Sequence, residues 1–333
     1  MRQPFIVGLG RSGAGLHLRA LRTAASVSPP PWAGPVIACD PRPDAADGLL
    51  PPVTLTHGVA EARAHLDPAT TVVHVCTPPA TRPAVLAELA AHGFTDLLVE
   101  KPLAASPAAL EEIHRLRERH GLRIEVVAHW LAAGLTGRLR ALRDTGDLGR
   151  LLTIDVEQHK PRFLRSLRDD GHPTAFDVEV PHSLGLVLDL AGPAAVTAAS
   201  LTDLRCGDSV RLHMGSARLE LEHTTGVRTR IVSDLGAPVR RRSVTLTFER
   251  GRAVAHYPLS DADDHAQLLL TGARTAHEVF RDDALTAFVR QAYARFDQGD
   301  AGAGFALHAE VVRLLCAAKD RCATPGGGAT DAA

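Results

Sequence analysis

The sequence predicts an α/β protein with a doubly wound parallel sheet in its N-terminal part and a mostly antiparallel, open sheet in its C-terminal part. The first sheet is predicted because short apolar runs alternate with longer amphipathic stretches, a pattern typical of a parallel sheet covered by helices on both faces. The predicted strands lie near Pro4–Val7, Val36–Cys39, Thr71–Cys76, Asp96–Val99 and Ile124–Ala128. The helices between them are predicted near Gly13–Ala25, Ala80–Gly93 and Pro107–His120.

The second sheet is predicted because strand-like runs follow one another with little helix between them, after a helix near Thr136–Thr145. These runs are Leu151–His159, Ser209–Leu212, Ala217–Glu222, Arg228–Ser233, Ser243–Phe248 and Arg252–Tyr257. The pattern favours an antiparallel sheet that leaves one face free to pack on helices or on another subunit. Two helices, near His277–Gln298 and Gly304–Asp320, are expected to close the fold.

Length and composition predict two domains. The chain has 333 residues, more than one hydrophobic core usually organises, and its apolar content of 45% is sufficient for two cores. We place an N-terminal domain at residues 1–125 and an α/β domain at residues 126–322. The tail, residues 323–333, has little to bury and is expected to be disordered.

The charge balance argues against a polyanionic partner. The 37 basic and 38 acidic residues give a formal net charge of -1, so we expect no nucleic-acid partner, no membrane partner and instead a small molecule. The cysteines are scattered and contain no C-x-x-C pair, so no metal site is predicted. The N terminus runs into a strand without the regions of a signal peptide, and we therefore expect a cytoplasmic location.

The first predicted turn carries the pattern G-x-G-x-x-G, formed by Gly8, Gly10 and Gly13 with Arg11 and Ser12 between them. The pattern follows an apolar strand and precedes a helix, which is the context of the dinucleotide-binding Rossmann fold. There the first glycine allows a tight turn, the second lets pyrophosphate approach the main chain, and the third lets helix and strand pack. We therefore predict a nicotinamide dinucleotide site at this turn.

Two further strand ends are predicted to contact the same cofactor. Asp40 ends the second strand, where a carboxylate accepts hydrogen bonds from the adenosine ribose and repels a 2′-phosphate, which favours NAD. Arg42 follows closely and is suited to a 2′-phosphate, so NADP stays an alternative. Thr77 and Pro78 follow the predicted strand Thr71–Cys76 at the carboxyl edge of the sheet, where ligands of such folds bind.

The next strand runs into V-E-K-P, which places Glu100 and Lys101 at this same edge as further candidates for cofactor contact. With the glycine turn before it and the segment TGDLGRLLTI after it, the chain resembles the Gfo/Idh/MocA family of dehydrogenases, which includes glucose-fructose oxidoreductase and inositol dehydrogenase. The resemblance implies that Lys101 is catalytic, reaching the oxygen on the reacting carbon, and that the peptide before Pro102 is cis. Lys101 is one of three lysines in an arginine-rich chain, together with Lys160 and Lys319.

A second family pattern, D-x-x-x-H at the start of a helix, is matched here with a changed spacing. The resemblance implies that His182 acts as acid or base, which suits the usual pKa of imidazole. The carboxylates before it are Asp177, five residues earlier, and Glu179, three residues earlier. Either is a candidate catalytic partner that orients His182, and the sequence does not choose between them.

The substrate residues are less sharply defined. Where the family often has an asparagine and an R-F pair, this chain reads AHWLAAG, so His129 and Trp130 are candidates for substrate contact, with core packing an equal alternative for the tryptophan. The strand end EQHKPRF adds His159, Lys160 and Arg162, cations suited to hydroxyls, a carboxylate or a phosphate, or else a solvated basic strand end.

These observations predict an NAD(P)-dependent enzyme that transfers hydride between nicotinamide and a secondary alcohol or ketone. The resemblance implies a sugar, amino sugar, nucleotide sugar or cyclitol as substrate. Two alternatives stay open: reduction of an imine on the same scaffold, and a dinucleotide-binding sensor or partner subunit without catalysis. We also expect a homo-oligomer that associates through the C-terminal sheet, because an exposed apolar sheet needs a cover.

Overall fold

The computed structural model describes residues 1–26, 32, 34–49, 53–168, 171–260, 263–272 and 275–323. The predicted disordered tail therefore lies, from residue 324 onward, outside the described residues. The chain divides into two compact units, Met1–His129 with Leu285–Val312 and Trp130–Ala284 with Arg313–Ala333. The first unit thus includes a late segment that the sequence analysis had placed in the second domain.

The strands of the first unit are β1 (Gln3–Val7), β2 (Ile37–Cys39), β3 (Thr54–Thr56), β4 (Thr71–Val75), β5 (Asp96–Val99) and β6 (Arg123–Val126). The strands of the second unit are β7 (Leu151–His159), β8 (Ala194–Leu201), β9 (Leu204–Cys206), β10 (Ser209–Arg211), β11 (Ser216–His223), β12 (Arg228–Asp234), β13 (Arg241–Phe248), β14 (Gly251–His256), β15 (His265–Thr271) and β16 (Ala276–Arg281).

The α-helices are α1 (Leu18–Ala25), α2 (Val59–Ala62), α3 (Arg82–Ala91), α4 (Pro107–His120), α5 (His129–Ala132), α6 (Gly134–Thr145), α7 (Phe163–Arg168), α8 (Val180–Ala191), α9 (Ala284–Gln298) and α10 (Phe305–Ala323). A π-helical turn, Gly13–His17, precedes α1. None of the helices that the structure describes is long and apolar enough to span a membrane.

The first unit is built on a six-stranded sheet with the order β3-β2-β1-β4-β5-β6, and every neighbouring pair is parallel. All residues of β4 and β5 are buried, as expected for strands covered on both faces. The order reverses beside β1, so the crevice at the carboxyl ends of β1 and β4 is the switch point where such folds bind ligands. The predicted doubly wound parallel sheet is confirmed.

Helix α9 belongs to the first unit because buried polar contacts hold the segment around it. Glu125 in β6 accepts hydrogen bonds from the Gly302 amide and from the Arg295 guanidinium, both at 2.7 Å. Tyr293, from α9, is fully buried. Local periodicity carries no trace of such contacts, since they join residues about 170 positions apart in the chain.

The second unit is built on an eight-stranded sheet with the order β16-β15-β14-β13-β7-β12-β11-β8. All neighbouring pairs are antiparallel except β12 with β7, so the predicted mostly antiparallel sheet is confirmed. Along β11 and β12 buried and exposed residues alternate, which gives the sheet one covered and one exposed face.

The helix predicted from His277 to Gln298 is wrong over its first part, because β16 occupies Ala276–Arg281 and α9 begins at Ala284. Residues of β16 pair with β15, which supplies backbone partners that periodicity along one segment does not reveal. Asp282 ends the strand by accepting hydrogen bonds from the amides of Gly134 and Leu135. The alanine-rich strand β8 was also not predicted, because alanine has little β propensity of its own.

Candidate active site

The glycine turn has the geometry that a dinucleotide requires. Gly8 has a φ of +94°, and its amide donates to Cys39 O at 2.8 Å. A Cβ on Gly13 would lie 2.0 Å from Gly8 O, so only glycine allows this contact between turn and helix. A Cβ on Gly10 would meet no atom within 4 Å. Gly10 therefore faces open space, where a side chain would occupy the path of a pyrophosphate.

The helix after this turn begins with a wide turn, in which the Leu18 amide bonds to Gly13 O. Ser12 stands at its N terminus and makes no side-chain capping bond among the described residues. The amides and partial positive charge of a helix N terminus attract phosphate. These residues fit the phosphates of a dinucleotide, with Arg11 and Ser12 next to them.

Asp40 and Arg42 form a hydrogen-bonded ion pair after the end of β2. Asp40 accepts hydrogen bonds from the Leu9 amide at 2.8 Å, from the Arg42 amide at 3.0 Å and from Arg42 Nε at 2.9 Å. Burial raises the pKa of Asp40, but these hydrogen bonds outweigh it and hold the pKa below its usual value. The carboxylate stays ionised, while the Arg42 side chain is 58% exposed beside it.

Thr77 and Pro78 follow β4 at the carboxyl edge of the sheet, beside the glycine turn. The Cys76 amide bonds to Val7 O at 2.8 Å, and a Cβ on Gly8 would lie 3.2 Å from the Cys76 carbonyl carbon. The Thr77 hydroxyl is buried and has no hydrogen-bond partner within the described part of the chain. The predicted cofactor residues after β1 and β4 are thus brought together.

Glu100 and Lys101 follow β5 at the same edge. The Glu100 amide bonds to Val75 O at 3.0 Å, and the Lys101 amide donates to Glu100 Oε2 at 3.1 Å. Glu100 is buried and Lys101 is half-buried. The peptide between Lys101 and Pro102 is cis, as the family resemblance implied.

A buried arginine, which the sequence does not predict, joins two of these strand ends. Arg82, at the start of α3, has no exposed surface, and its guanidinium donates to Thr77 O at 2.8 Å, to Leu103 O at 3.3 Å and to Pro102 O. Burial lowers the pKa of Arg82 to about 10, which leaves it a cation at neutral pH. In the sequence it reads as an ordinary helix arginine, and nothing in its neighbourhood signals burial.

The first unit also contains a buried histidine pair that the sequence does not predict. His17 and His74 are fully buried, and their Nδ1 atoms lie 2.8 Å apart. His17 Nε2 lies 3.0 Å from Glu100 Oε1, and His74 Nε2 lies 2.9 Å from the Tyr293 hydroxyl. The one available signal was a histidine inside the apolar strand sequence TVVHV.

In the second unit, His182 lies in the first turn of α8, a helix in which every residue except Asp189 is buried. The His182 amide bonds to Glu179 O at 3.1 Å. The imidazole stacks on Trp130, with ring centroids 6.2 Å apart and planes inclined by 16°. Trp130 is 2% exposed and also stacks on Tyr257, with centroids 4.5 Å apart.

The two carboxylates before His182 each bind a lysine. Glu179 accepts a hydrogen bond from Gln158 Nε2 at 2.5 Å and from Lys160 Nζ. Asp177 accepts hydrogen bonds from the amide and the hydroxyl of Thr174, the N-cap residue of the turn before α8, and from Lys319 Nζ. These bonds do not decide which carboxylate orients the His182 imidazole, so that choice stays open.

The remaining candidate substrate residues lie at two places. His159 ends β7, and the Lys160 and Arg162 amides that follow bond to Asp234 O at 2.8 Å and Leu235 O at 3.0 Å. Arg162 is 8% exposed. His129 begins α5 at the end of the first unit. Lys101 belongs to the first unit and His182 to the second.

Comparison with known proteins supports a dinucleotide-binding fold in the first unit. Residues 4–128 match the Gfo/Idh/MocA model, an oxidoreductase family with an NAD-binding Rossmann fold. Comparison with the curated proteins gives no sequence match. The fold is similar to that of KijD10, a 3-ketoreductase from Actinomadura kijaniata in complex with NADP and TDP-benzene, with a TM-score of 0.78 and 14% identity over 96% of this chain and 97% of that chain.

Two more solved structures share the fold. A protein from Desulfitobacterium hafniense, described as an NADPH-dependent oxidoreductase, has a TM-score of 0.80 and 15% identity over 96% of this chain and 94% of that chain. An oxidoreductase from Agrobacterium radiobacter, in complex with NAD+, L-tartaric acid and magnesium, has a TM-score of 0.73 and 14% identity over 96% and 95% of the two chains. At these identities the likeness concerns the fold.

The parallel sheet, the glycine turn and the family match define an oxidoreductase that uses NAD(P). The match of residues 4–128 to the Gfo/Idh/MocA oxidoreductase family confirms, for the N-terminal unit, the resemblance predicted from the sequence.

Proposed function

We propose that this protein transfers a hydride between the nicotinamide of NAD(P) and the carbon of a secondary alcohol or ketone in a carbohydrate-like substrate. The observation that carries the proposal is the placement of Lys101 at the carboxyl end of β5, in the same sheet edge as the glycine turn of Gly8, Gly10 and Gly13. An amine is thereby placed at the edge where dinucleotides lie in this fold class.

We assign dinucleotide binding to the residues at the strand ends of the first unit. Gly10 leaves room for the pyrophosphate, the helix N terminus at Ser12 provides amides, and Asp40 with Arg42 meets the adenosine ribose. The nicotinamide supplies the hydride acceptor or donor. Thr77, with its buried hydroxyl, and Pro78 border the position of the nicotinamide half.

Lys101 is the proposed catalytic group for the substrate oxygen. When an alcohol is oxidised, the hydride leaves carbon for nicotinamide and the hydroxyl proton must pass to the protein; reduction of the ketone reverses both transfers. In the reduction, the Lys101 ammonium stabilises the negative charge that develops on the oxygen and donates the proton; in the oxidation, the neutral amine accepts the hydroxyl proton. Arg82 and Glu100 support this position by holding the backbone on both sides of Lys101.

His182 is the proposed second acid or base. Its ring is stacked on Trp130, so the imidazole is held in one plane, and its helix is buried on nearly all sides. Glu179 and Asp177, bound to Lys160 and Lys319, are the proposed carboxylates next to it. His129, His159, Lys160 and Arg162 are proposed to contact the hydroxyl or anionic groups of the substrate.

A substrate with a sugar or cyclitol ring is the proposed class, either free, amino-substituted or nucleotide-linked. Support comes from the family match of residues 4–128 and from the fold shared with a 3-ketoreductase crystallised with TDP-benzene. Imidazole, ammonium and guanidinium groups are suited to the hydroxyl groups of such a ring and to a linked phosphate.

The experiment is a turnover assay with NADH and NADPH against keto sugars, nucleotide-linked keto sugars and keto cyclitols, and with NAD+ and NADP+ against the alcohols. We expect turnover in at least one of these classes, with a strong loss in His182→Asn. Arg119→Met, an exposed substitution on α4, is the matched control and keeps full activity. Dinucleotide binding with no turnover on any of them favours a sensor or partner subunit, and a nitrogen-containing product favours imine reduction.

Association of identical subunits through the C-terminal sheet is a further part of the proposal. The exposed face of this sheet carries apolar side chains at Leu269 and Val279, which are 36% and 55% exposed. It also carries cross-strand ion pairs, such as Arg230 with Asp155 at 3.0 Å. Sedimentation analysis of the wild type and of Val279→Glu tests this contact. The same mass for the two proteins would contradict it.

A further inference from the structure

Four buried side chains form a continuous hydrogen-bonded series that ends at the turn carrying Lys101. From its far end the series runs from Tyr293 to His74 at 2.9 Å, to His17 at 2.8 Å and to Glu100 at 3.0 Å. Tyr293, His74 and His17 have no exposed surface and Glu100 is 9% exposed. Glu100 Oε2 then accepts the Lys101 amide.

The charges of this series are set by its burial and by its neighbours. Burial lowers the pKa of His17, but Cys76 and Glu100 beside it outweigh this and raise the pKa to about 10. Burial raises the pKa of Glu100, but His17, Lys101 and Arg82 lower it to about 2. His17 is therefore an imidazolium and Glu100 a carboxylate at neutral pH.

The His17–Glu100 ion pair also sets the protonation of His74, the next residue of the series. Burial and the neighbouring His17 cation hold the pKa of His74 well below its usual value, so His74 stays neutral. His17 then donates from both nitrogens, to Glu100 and to His74 Nδ1, while His74 Nε2–H donates to the Tyr293 oxygen. The titratable and charged groups that face the ion pair are His74, Cys76, Lys101 and Arg82.

The position of His17 connects this series to the dinucleotide turn. His17 is the last residue of the π-helical turn that starts at Gly13. The wide turn and Gly13 form one end of the predicted phosphate site, and the Glu100 carboxylate accepts the hydrogen bond of the Lys101 amide. One imidazolium thus links the two parts of the candidate site inside a single unit.

We propose that His17 is a positioning residue, which as a buried imidazolium holds the Glu100 carboxylate in place and through it the backbone that presents Lys101. The proposal rests on the proposed function for the role of Lys101. A neutral side chain at position 17 would leave Glu100 without the cation that lies 3.0 Å away, and a buried carboxylate without that partner either moves toward Lys101 and Arg82 or takes up a proton. We expect either response to shift the backbone that carries Lys101.

The first test needs no substrate and is made on the wild type. Nitrogen-15 NMR of the histidine-labelled wild type at pH 8 reports the protonation of each imidazole, with His17→Gln and His74→Gln used only for assignment. We expect His17 to carry protons on both nitrogens and His74 on one. A singly protonated His17 at pH 8 would overturn the proposal.

The second test uses the three lysines of the chain as reporters. Reductive methylation with carbon-13 labels Lys101, Lys160, Lys319 and the N terminus, and Lys101→Arg assigns the signal. We expect His17→Gln and Glu100→Gln to move the Lys101 signal, while Lys160 and Lys319, which lie in the second unit, keep theirs. Tyr293→Phe, which leaves the His17–Glu100 pair intact, is the matched control and leaves all three unchanged.

Activity separates this proposal from the proposed function. We expect His17→Gln to lower kcat by about tenfold with an NADH Kd within about threefold of wild type, since a displaced catalytic group slows chemistry more than binding. A folded His17→Gln protein with an unmoved Lys101 signal and normal kcat would overturn the positioning role alone. If Lys101→Met retains normal turnover, the proposed catalytic role of Lys101 fails whatever His17 does, and a wild type without turnover on the whole panel would contradict the proposed function itself.

Discussion

Trp130 stacks on the imidazole of His182 with the two ring planes within 16° of each other. The tryptophan is itself fixed, because Tyr257 stacks on it at 4.5 Å and Thr136 bonds to both the Tyr257 hydroxyl at 2.7 Å and Trp130 O at 2.5 Å. The ring plane of His182 is thus set by packing. Substitutions that disturb this packing are therefore expected to change the turnover that depends on His182.

Replacement of Trp130 is expected to harm both stability and turnover. Trp130→Leu removes the stacked surface and leaves a cavity, so we expect a loss of about 3 kcal/mol in the free energy of unfolding. The kcat should fall by about tenfold or more, because the imidazole is no longer held in one plane. Denaturant unfolding and steady-state kinetics measure both effects, and Trp130→Phe, which keeps an aromatic face, should lose less of each. Equal kcat in Trp130→Leu and wild type would show that the stack does not position His182.

The glycines of the turn are expected to separate binding from folding. Gly10→Ala meets no atom within 4 Å, so the protein should fold normally while its NADH affinity falls by about tenfold or more, because the methyl group stands in the path of the pyrophosphate. Gly13→Ala places a Cβ 2.0 Å from Gly8 O and should destabilise the unit itself. Gly15→Ala, whose nearest atom is 3.9 Å away, is the control for both. Melting curves and cofactor fluorescence titrations give the two readouts. Undiminished NADH affinity in Gly10→Ala would place the dinucleotide elsewhere.

Arg42 is expected to decide how well NADP is accepted. Its guanidinium covers the Asp40 carboxylate with bonds of 2.9 and 3.1 Å, which offsets the charge that would repel a 2′-phosphate. Arg42→Ala should therefore weaken NADPH binding by about tenfold and NADH binding by less than about threefold. Fluorescence titrations with both cofactors, against Arg119→Ala as the control, measure this ratio. Equal losses for the two cofactors would remove Arg42 from the ribose site.

The His17–Glu100 pair gives the stability a defined pH dependence. The folded-state pKa of His17 is raised to about 10, so its contribution is complete below the unfolded value of 6.5 and is lost as pH rises through about 10. The folded-state pKa of Glu100 is lowered to about 2, so its contribution is present above the unfolded value of 4.5 and is lost as pH falls toward 2.

The difference in unfolding free energy between wild type and His17→Gln should therefore be largest between about pH 4.5 and 6.5 and shrink toward pH 10. Chemical unfolding at a series of pH values measures that difference directly. A difference that is constant from pH 6 to pH 10 would mean that His17 is neutral in the folded protein.

Much of the first unit was predictable because its signals are local. The strand Gln3–Val7, the turn of Gly8 and Gly13 and the edge position of Lys101 depend on short patterns whose physical meaning is fixed by backbone geometry. The same holds for the helix start near His182, where Pro181 fits the first turn.

The missed features depend on contacts between distant positions. His17 and His74 lie 57 positions apart, and His74 and Tyr293 lie 219 apart, so their series is invisible to any local pattern. The segment Ala276–Arg281 is a strand, against the helix that its sequence predicts, because pairing with its partner strand decides its conformation. The lysines at 160 and 319 were noted as rare, but their pairing with Glu179 and Asp177 follows from the fold alone.

The most direct test of the whole account is the effect of Lys101→Met on kcat/KM with the best substrate of the panel, measured beside the NADH Kd and the far-ultraviolet circular dichroism of the same protein. The account predicts a fall in kcat/KM of about a thousandfold, the range of general acid–base catalysis, with NADH affinity and secondary structure unchanged. A folded Lys101→Met protein that binds NADH and keeps kcat/KM within about threefold of wild type would contradict the assignment of Lys101 as the catalytic amine.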